Sequence, residues 1–316
     1  MMKRISNYKT FINESSSENK LTQKQLDFLN NHVKGYWKLN GEGVVDVDGD
    51  FDCFSKGISD FKGIVFGKVS GDFDCSRNNL SSLKGAPKEV GGHFDCSHNN
   101  LKSLEDAPKK TGRSFYCSYN KLTSLEFAPE RVRSSFHCQN NSLTSLEGAP
   151  KEVGGYFDCS SNNLTSLEGA PKEIGYDFDC SHNNLTTLEG CPKEIVEDFD
   201  CSHNNLTTLE FSPEKVGVNF YCFNNNLISL KGAPKEIGYD FILKNNEGAS
   251  SEILKEIFRK MLESKLDYSD VLKSLWDEIP IKDKIVLYTP DLDWVEEDEA
   301  SKLSKLKKYS NIKKMI

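Results

Sequence analysis

Residues 177–189 read DFDCSHNNLTTLE, and residues 198–210 repeat them letter for letter. Each copy carries two aspartates, a cysteine and a histidine, residue types that serve a duplicated metal site as readily as a duplicated structural brick. Spacing decides between the two. Cys75, Cys96, Cys117, Cys138, Cys159, Cys180, Cys201 and Cys222 stand 21 residues apart without exception. A fixed period of this length is the mark of a solenoid, in which each unit is one coil.

Anchored on cysteine, every column of the repeat has a physical reading. Phe stands two residues before each of the eight, from Phe73 to Phe220, and Asn three after, from Asn78 to Asn225. Leu pairs follow at five and eight, from Leu80/Leu83 to Leu227/Leu230, and Pro at twelve, from Pro87 to Pro234. Val or Ile comes at fifteen, with Thr111 the one departure. Phe-x-Cys places two side chains on the inner face of a short strand and the residue between them on the outer face. Asn is a side-chain partner for backbone groups orphaned where the chain turns between buried coils. Pro donates no hydrogen bond, so the return segment is expected to be irregular. The step from Val153 to Phe157 is four residues, and glycine pairs such as Gly91-Gly92 and Gly154-Gly155 are expected to absorb the extra one as a bulge.

F-x-C-x-x-N-x-L, as in Phe178-x-Cys180-x-x-Asn183-x-Leu185, resembles the L-x-L-x-x-N-x-L core of the leucine-rich-repeat family. The return segment, such as LTSLEGAP at 164–171, is similar to the short repeats of bacterial effector proteins and to the Cys-containing repeats of phage and bacterial proteins. The resemblance spans residues 48–247 and implies an α/β solenoid, a stack of short parallel strands with irregular returns and helical caps at both ends. Residues 48–69 form a worn first unit, in which Phe51 and Cys53 persist but Lys56 replaces Asn.

The flanks divide the rest of the chain. Residues 1–20 are polar and Ser-rich, and are expected to form a flexible tail. Within residues 21–47, an N-terminal helical cap, Thr22 to Gln25 reads as a capping box with Leu21 and Leu26 as its staple. A helix over 23–34 follows, stopped by Gly35, with Leu26, Leu29 and Val33 as the lid on the first coil. Residues 248–316 form a C-terminal helical cap and tail, where Ile253, Leu254, Ile257, Phe258, Met261 and Leu262 recur at helical spacing.

Within such a stack the apparent chemistry of the quoted stretch dissolves. Asp179 and Cys180 leave opposite faces of one strand and cannot meet on an ion. The cysteines read as buried, inert thiols, and Cys191, in the place of Ala149 and Ala170, marks a small core slot. No CxxC pair supports zinc. A cluster of Asp179, Asp200, His182 and His203 across adjacent coils is the residual metal candidate, and Asp46-Val-Asp-Gly-Asp50 lacks the glycine and glutamate positions of a calcium loop. Neither a nucleophilic triad nor a phosphate loop stands outside the repeats, so the reading is a non-enzymatic protein, with catalytic, metal and cofactor residues none.

Function then rests on the variable outer positions. Between Phe and Cys these read Asp74, Asp95, Tyr116, His137, Asp158, Asp179, Asp200 and Tyr221. Tyr and His favour interfaces, and acids steer a basic partner. The expected docking residues are Tyr116, Tyr119, His137, Tyr156, Asp158, Asp179, Asp200 and Tyr221, with Ser114 and Ser135 on the same face. The chain carries a net charge of −8; residues 48–247 hold 20 basic against 29 acidic side chains, a balance of −9. Phosphate backbones are repelled by such a body, which excludes nucleic acid as the expected ligand. No stretch has the length of a membrane span and the N-terminus lacks a signal-peptide core, so the expected location is the cytoplasm, that of the host if phage-encoded. A protein-binding scaffold is the leading expectation. A rigid spacer in a phage particle or similar assembly, and an effector with an enzyme in residues 248–316, are the alternatives.

Overall fold

The computed structural model describes residues 21–243 and 246. The tail 1–20 and the C-terminal cap and tail 248–316 lie outside the described residues. The protein is a parallel-strand solenoid with a 21-residue repeat, divided into two compact units. Among the described residues, one holds 21–164 and 168–177, the other 165–167, 178–243 and 246.

The first unit opens with helix α1 (Gln23–His32), whose capping box forms as the sequence predicts: Thr22 Oγ1 accepts from Gln25 N–H, and Gln25 Oε1 accepts from Thr22 N–H at 2.9 Å. Phe28 and Leu29 are the residues α1 buries, and the Phe28 ring lies 5.8 Å from that of Phe51. Leu26 and Val33 stay half-buried. The helix stops at His32, short of the expected 34, because the chain turns at once into strand β1 (Val33–Leu39). β1 pairs antiparallel with β2 (Val45–Asp52) through seven residue pairs, from Val33 opposite Phe51 to Leu39 opposite Val45. Gly35 is therefore a strand residue facing Gly49, not a helix stop; a Cβ on it would stand 2.2 Å from the Asp48 carbonyl oxygen. The 21–47 segment is thus part helix and part hairpin.

From β2 the chain winds into coils. Phe51-Asp52, Phe73-Asp74, Phe94-Asp95, Phe115-Tyr116, Phe136-His137 and Phe157-Asp158 pair in parallel, Phe beside Phe. The Phe rings stack 4.7–5.9 Å apart and are fully buried with the cysteines and leucines beside them. Each such side chain stabilises by about 1.5–3 kcal/mol, which a two-residue strand cannot gain until its neighbours cover it. The second unit repeats the pattern with Phe178-Asp179, Phe199-Asp200, Phe220-Tyr221 and Phe241-Ile242.

The return segment is more regular than expected. Its Val/Ile position lies on a second column of short parallel strands, Lys110-Thr111 beside Glu89-Val90 and Glu152-Val153 beside Arg131-Val132 in the first unit. In the second, Lys215-Val216 lies beside Glu194-Ile195. Thr111 fits because its buried Oγ1 donates to Arg113 O. Nor is the extra residue a bulge: Gly91 and Gly92 donate to Val69 O and Gly71 O, both at 2.8 Å, and carry the inter-coil hydrogen bonds around a corner.

The asparagine column does what its chemistry allows. Asn99 Nδ2 donates to Cys75 O at 3.0 Å and to Cys96 O at 3.1 Å, while its Oδ1 accepts from Leu80 N–H at 2.9 Å. Burial pushes the thiols of Cys75, Cys96, Cys117, Cys138, Cys201 and Cys222 well above the ordinary range, and Cys96 Sγ donates to Tyr116 O. Cys191 is half-buried, so its slot is shallower than the sequence implies.

Candidate protein-docking face

The outer strand position is not a free surface. In the first unit Asp74, Asp95 and Asp158 are half-buried, and each carboxylate accepts from the backbone N–H two residues on, at Ser76, Ser97 and Ser160. In the second, Asp179 and Asp200 do the same at Ser181 and Ser202. These side-chain turns close each strand. Burial, opposed by the serine hydrogen bonds, lifts the Asp95 and Asp200 carboxyls above their ordinary value.

Tyr116 and His137 replace the carboxylate that makes that turn, and the two coils carrying them use the position differently. Their rings stack at 4.9 Å and 14°. His93 extends the row, 5.9 Å from Tyr116, and His137 Nδ1 reaches Asp158 Oδ2 at 3.8 Å. Tyr119 is 47% exposed and stacks on His98 at 4.2 Å, while Tyr156, 46% exposed, stacks on Tyr176 at 5.6 Å. Of the five expected residues in this unit, Tyr116, His137 and Asp158 therefore form one row, and Tyr119 and Tyr156 form separate stacks. His93, His98 and Tyr176 are the ring partners that the sequence reading did not name.

Ser114 and Ser135 leave the face. Both are buried, and Ser114 Oγ accepts from Ser135 N–H as Ser135 Oγ accepts from Tyr156 N–H, each at 3.3 Å. They belong to a ladder of acceptors three residues before cysteine. Asp50 Oδ1 takes Asp72 N–H at 2.8 Å, Asp72 Oδ1 takes His93 N–H at 2.7 Å, and His93 Nδ1 takes Ser114 N–H at 3.3 Å.

In the second unit Tyr221 is half-buried, and burial together with Asp198, Asp240 and Asp200 raises its phenol above the ordinary value. His182 and His203 stack at 4.0 Å and 13°, and Asn224 Nδ2 lies 3.0 Å from His203 Nε2. Ring nitrogens bind metals in the ring plane, so two stacked, near-parallel imidazoles direct their lone pairs side by side rather than at one ion. Among the described residues no group of three or more His, Cys, Asp or Glu is placed to hold a metal.

No helix among the described residues is long and apolar enough to cross a membrane. No family model matches the chain. No curated protein matches it either. Among solved structures it is similar to YopM from Yersinia enterocolitica WA-314, with a TM-score of 0.40 and 17% identity over 62% of this chain and 55% of that one. The match thus spans little more than half of the YopM chain.

Proposed function

We propose that the protein is a non-enzymatic scaffold that docks another protein on the strand face of its first unit, centred on the Tyr116–His137 stack. The observation that carries this is a forfeited hydrogen bond. Asp at the outer strand position closes the turn of its own coil, as Asp74, Asp95 and Asp158 do, whereas Tyr116 and His137 give up that bond and hold half-buried rings instead. A repeat selected for stacking alone has no reason to do so, and Tyr is a side chain that anchors interfaces with little loss of rotamer freedom. Tyr119 and Tyr156 supply exposed rings nearby, and the acidic columns favour a basic partner. The working compartment is the reducing cytoplasm, in keeping with ten cysteines held as thiols.

The test replaces Tyr116 and His137 with the Asp of the other coils. A photo-crosslinking residue at position 119 should capture one protein from the native cell, and the capture should disappear in the Tyr116→Asp, His137→Asp chain. That variant should melt no lower than the wild type, since it regains two turns. Equal capture of the same protein by both chains would sink the proposal.

A further inference from the structure

The charge of the strand face changes sign along the first unit. Over the five residues that lead into each cysteine, 48–52 carry Asp48, Asp50 and Asp52, 70–74 carry Asp72 and Asp74, and 91–95 carry Asp95. Residues 112–116 carry Arg113 alone, 133–137 carry Arg133 alone, and 154–158 return to Asp158. With histidine neutral, the balance runs −3, −2, −1, +1, +1, −1 from coil to coil. The two positive coils are those that hold Tyr116 and His137 in place of the turn-closing Asp, so the rings and the arginines arrive together.

The structure leaves both guanidiniums available. Arg113 and Arg133 stand on the corner that leads into the strand, both are exposed, and neither joins an ion pair among the described residues. Their neighbours across the coil boundary are glycines. Arg113 N–H donates to Gly92 O at 3.1 Å, and a Cβ on Gly154 would stand 2.2 Å from Arg133 O, so no side chain from either position reaches over to neutralise them. The second strand column behaves in the opposite way. There Lys110 pairs with Glu89 at 3.0 Å, Arg131 with Glu152 and, one residue earlier, Lys151 with Glu130 at 3.7 Å, so each cation is matched on a neighbouring coil. Arg beside Arg on adjacent coils works against the stack, because like charges repel. Of the other charges around the row, Arg77 lies beyond the strand at its acidic end, and Lys109 is occupied at Phe127, donating to its carbonyl oxygen at 2.9 Å with the ammonium 5.3 Å from the ring centroid. The Asp95 and Asp158 carboxylates bound the island on either side, each tied to its own turn.

We infer that this island takes an acidic side chain, aspartate or glutamate, of the docked protein, flanked in that partner by basic residues that face Asp95 on one side and Asp158 on the other. The inference rests on the docking reading above and adds the chemistry of the partner. Coils repeat at about 4.8 Å, so one carboxylate lies within reach of both guanidiniums, whose forked donors hold it through paired hydrogen bonds. The half-buried rings of Tyr116 and His137 offer the flank on which the acid's carbon chain rests. A partner shifted along the stack sets its acid against Asp95 or Asp158, so the order of charge fixes the register.

Calorimetric titration of the full-length chain with synthetic peptides tests this. The probe is an amidated octapeptide with lysines at both ends and one glutamate at its centre, and its twin has glutamine there. The glutamate peptide should bind the wild type about tenfold more tightly than the glutamine peptide, as a hydrogen-bonded charge pair does. In Arg113→Gly with Arg133→Gly, which restores the glycine native to that corner and should melt as the wild type does, the two peptides should bind alike. Wild-type binding that ignores the exchange overturns the inference, as does a preference that survives in the glycine variant, or a glutamate peptide that does not bind at millimolar concentration. Inorganic phosphate that displaces the glutamate peptide at equal concentration also overturns it, as the mark of a general anion site. The docking reading fails separately, through capture at position 119 that persists in the Tyr116→Asp, His137→Asp chain. A wild type blind to glutamate against glutamine, with capture still lost in that chain, leaves docking standing and strikes only the acid.

Discussion

Asn99 shows what one residue does in a stack of coils. Its amide bonds Cys75 O, Cys96 O and Ser97 O, and its Oδ1 holds Leu80 N–H, so backbone groups of successive coils hang on one buried side chain. Each buried group left without a partner costs about 1–3 kcal/mol, so Asn99→Leu should lose on the order of 3–5 kcal/mol in urea unfolding. A loss below about 1 kcal/mol would mean that water replaces the amide. The role is legible from sequence because a side-chain amide offers two N–H donors beside a carbonyl acceptor, and it recurs unchanged. The acceptor ladder of Asp50, Asp72, His93, Ser114 and Ser135 escapes notice for the opposite reason: its members share one lone pair's task and no common letter. At His203 the environment sets a pH response. Burial first and the stacked His182 second hold its imidazole below the ordinary pKa. As pH falls, the unfolded chain therefore takes up the proton before the folded one, and stability present above the ordinary value drains away below it. Melting curves at neutral and mildly acidic pH should show a smaller acid loss in His203→Asn than in the wild type. Asn is apt because the left-handed backbone of this column, φ 53° at His203, already accepts Asn224 at φ 52°.

At the scale of elements, periodicity reveals what burial imposes and hides what pairing imposes. The Phe, Cys and Leu columns are apolar, recur in phase and lie fully buried, so the first strand column is readable before any coordinates. The second strand column is masked by its own letters. Glu89-Val90 and Lys110-Thr111 show one inward residue each, and Pro87 and Pro108 just before them read as irregular chain. What makes them strands is the neighbouring coil, which accepts their hydrogen bonds. The same applies to the end of α1. Gly35 has the composition of a helix stop, yet seven residue pairs with β2 draw Val33–Leu39 into a strand, and the missing Cβ is spent on the close approach to Gly49. Local propensity lost to tertiary pairing in both places. On the candidate face, residue type identified Tyr116 and His137, but whether an outer Asp is free or closes its own turn depends on a carboxylate-to-backbone distance that no letter encodes.

For the whole molecule, stability accrues coil by coil, so length is adjustable only in whole periods. The duplicated stretch provides a clean cut. Removing residues 126–209 joins Leu125 to Glu210 and leaves the reading Leu-Glu-Phe unbroken, since Glu126-Phe127 and Glu210-Phe211 are identical. The Cys117 coil is then followed by the Cys222 coil in register, Phe beside Phe and Asn beneath Leu. Such a chain should fold cooperatively, with a urea m-value reduced by roughly two-fifths of that part arising from the repeats, because m follows the surface exposed on unfolding. A cut of about 80 residues from the same place should not, since a shift of a few residues sets polar positions where the Phe and Leu columns are buried and leaves the Asn amides facing side chains. Circular dichroism and urea titration of the two chains distinguish the cases. If the out-of-phase chain unfolded as sharply as the in-phase one, the columns of Phe, Cys, Asn and Leu would not be what holds successive coils together.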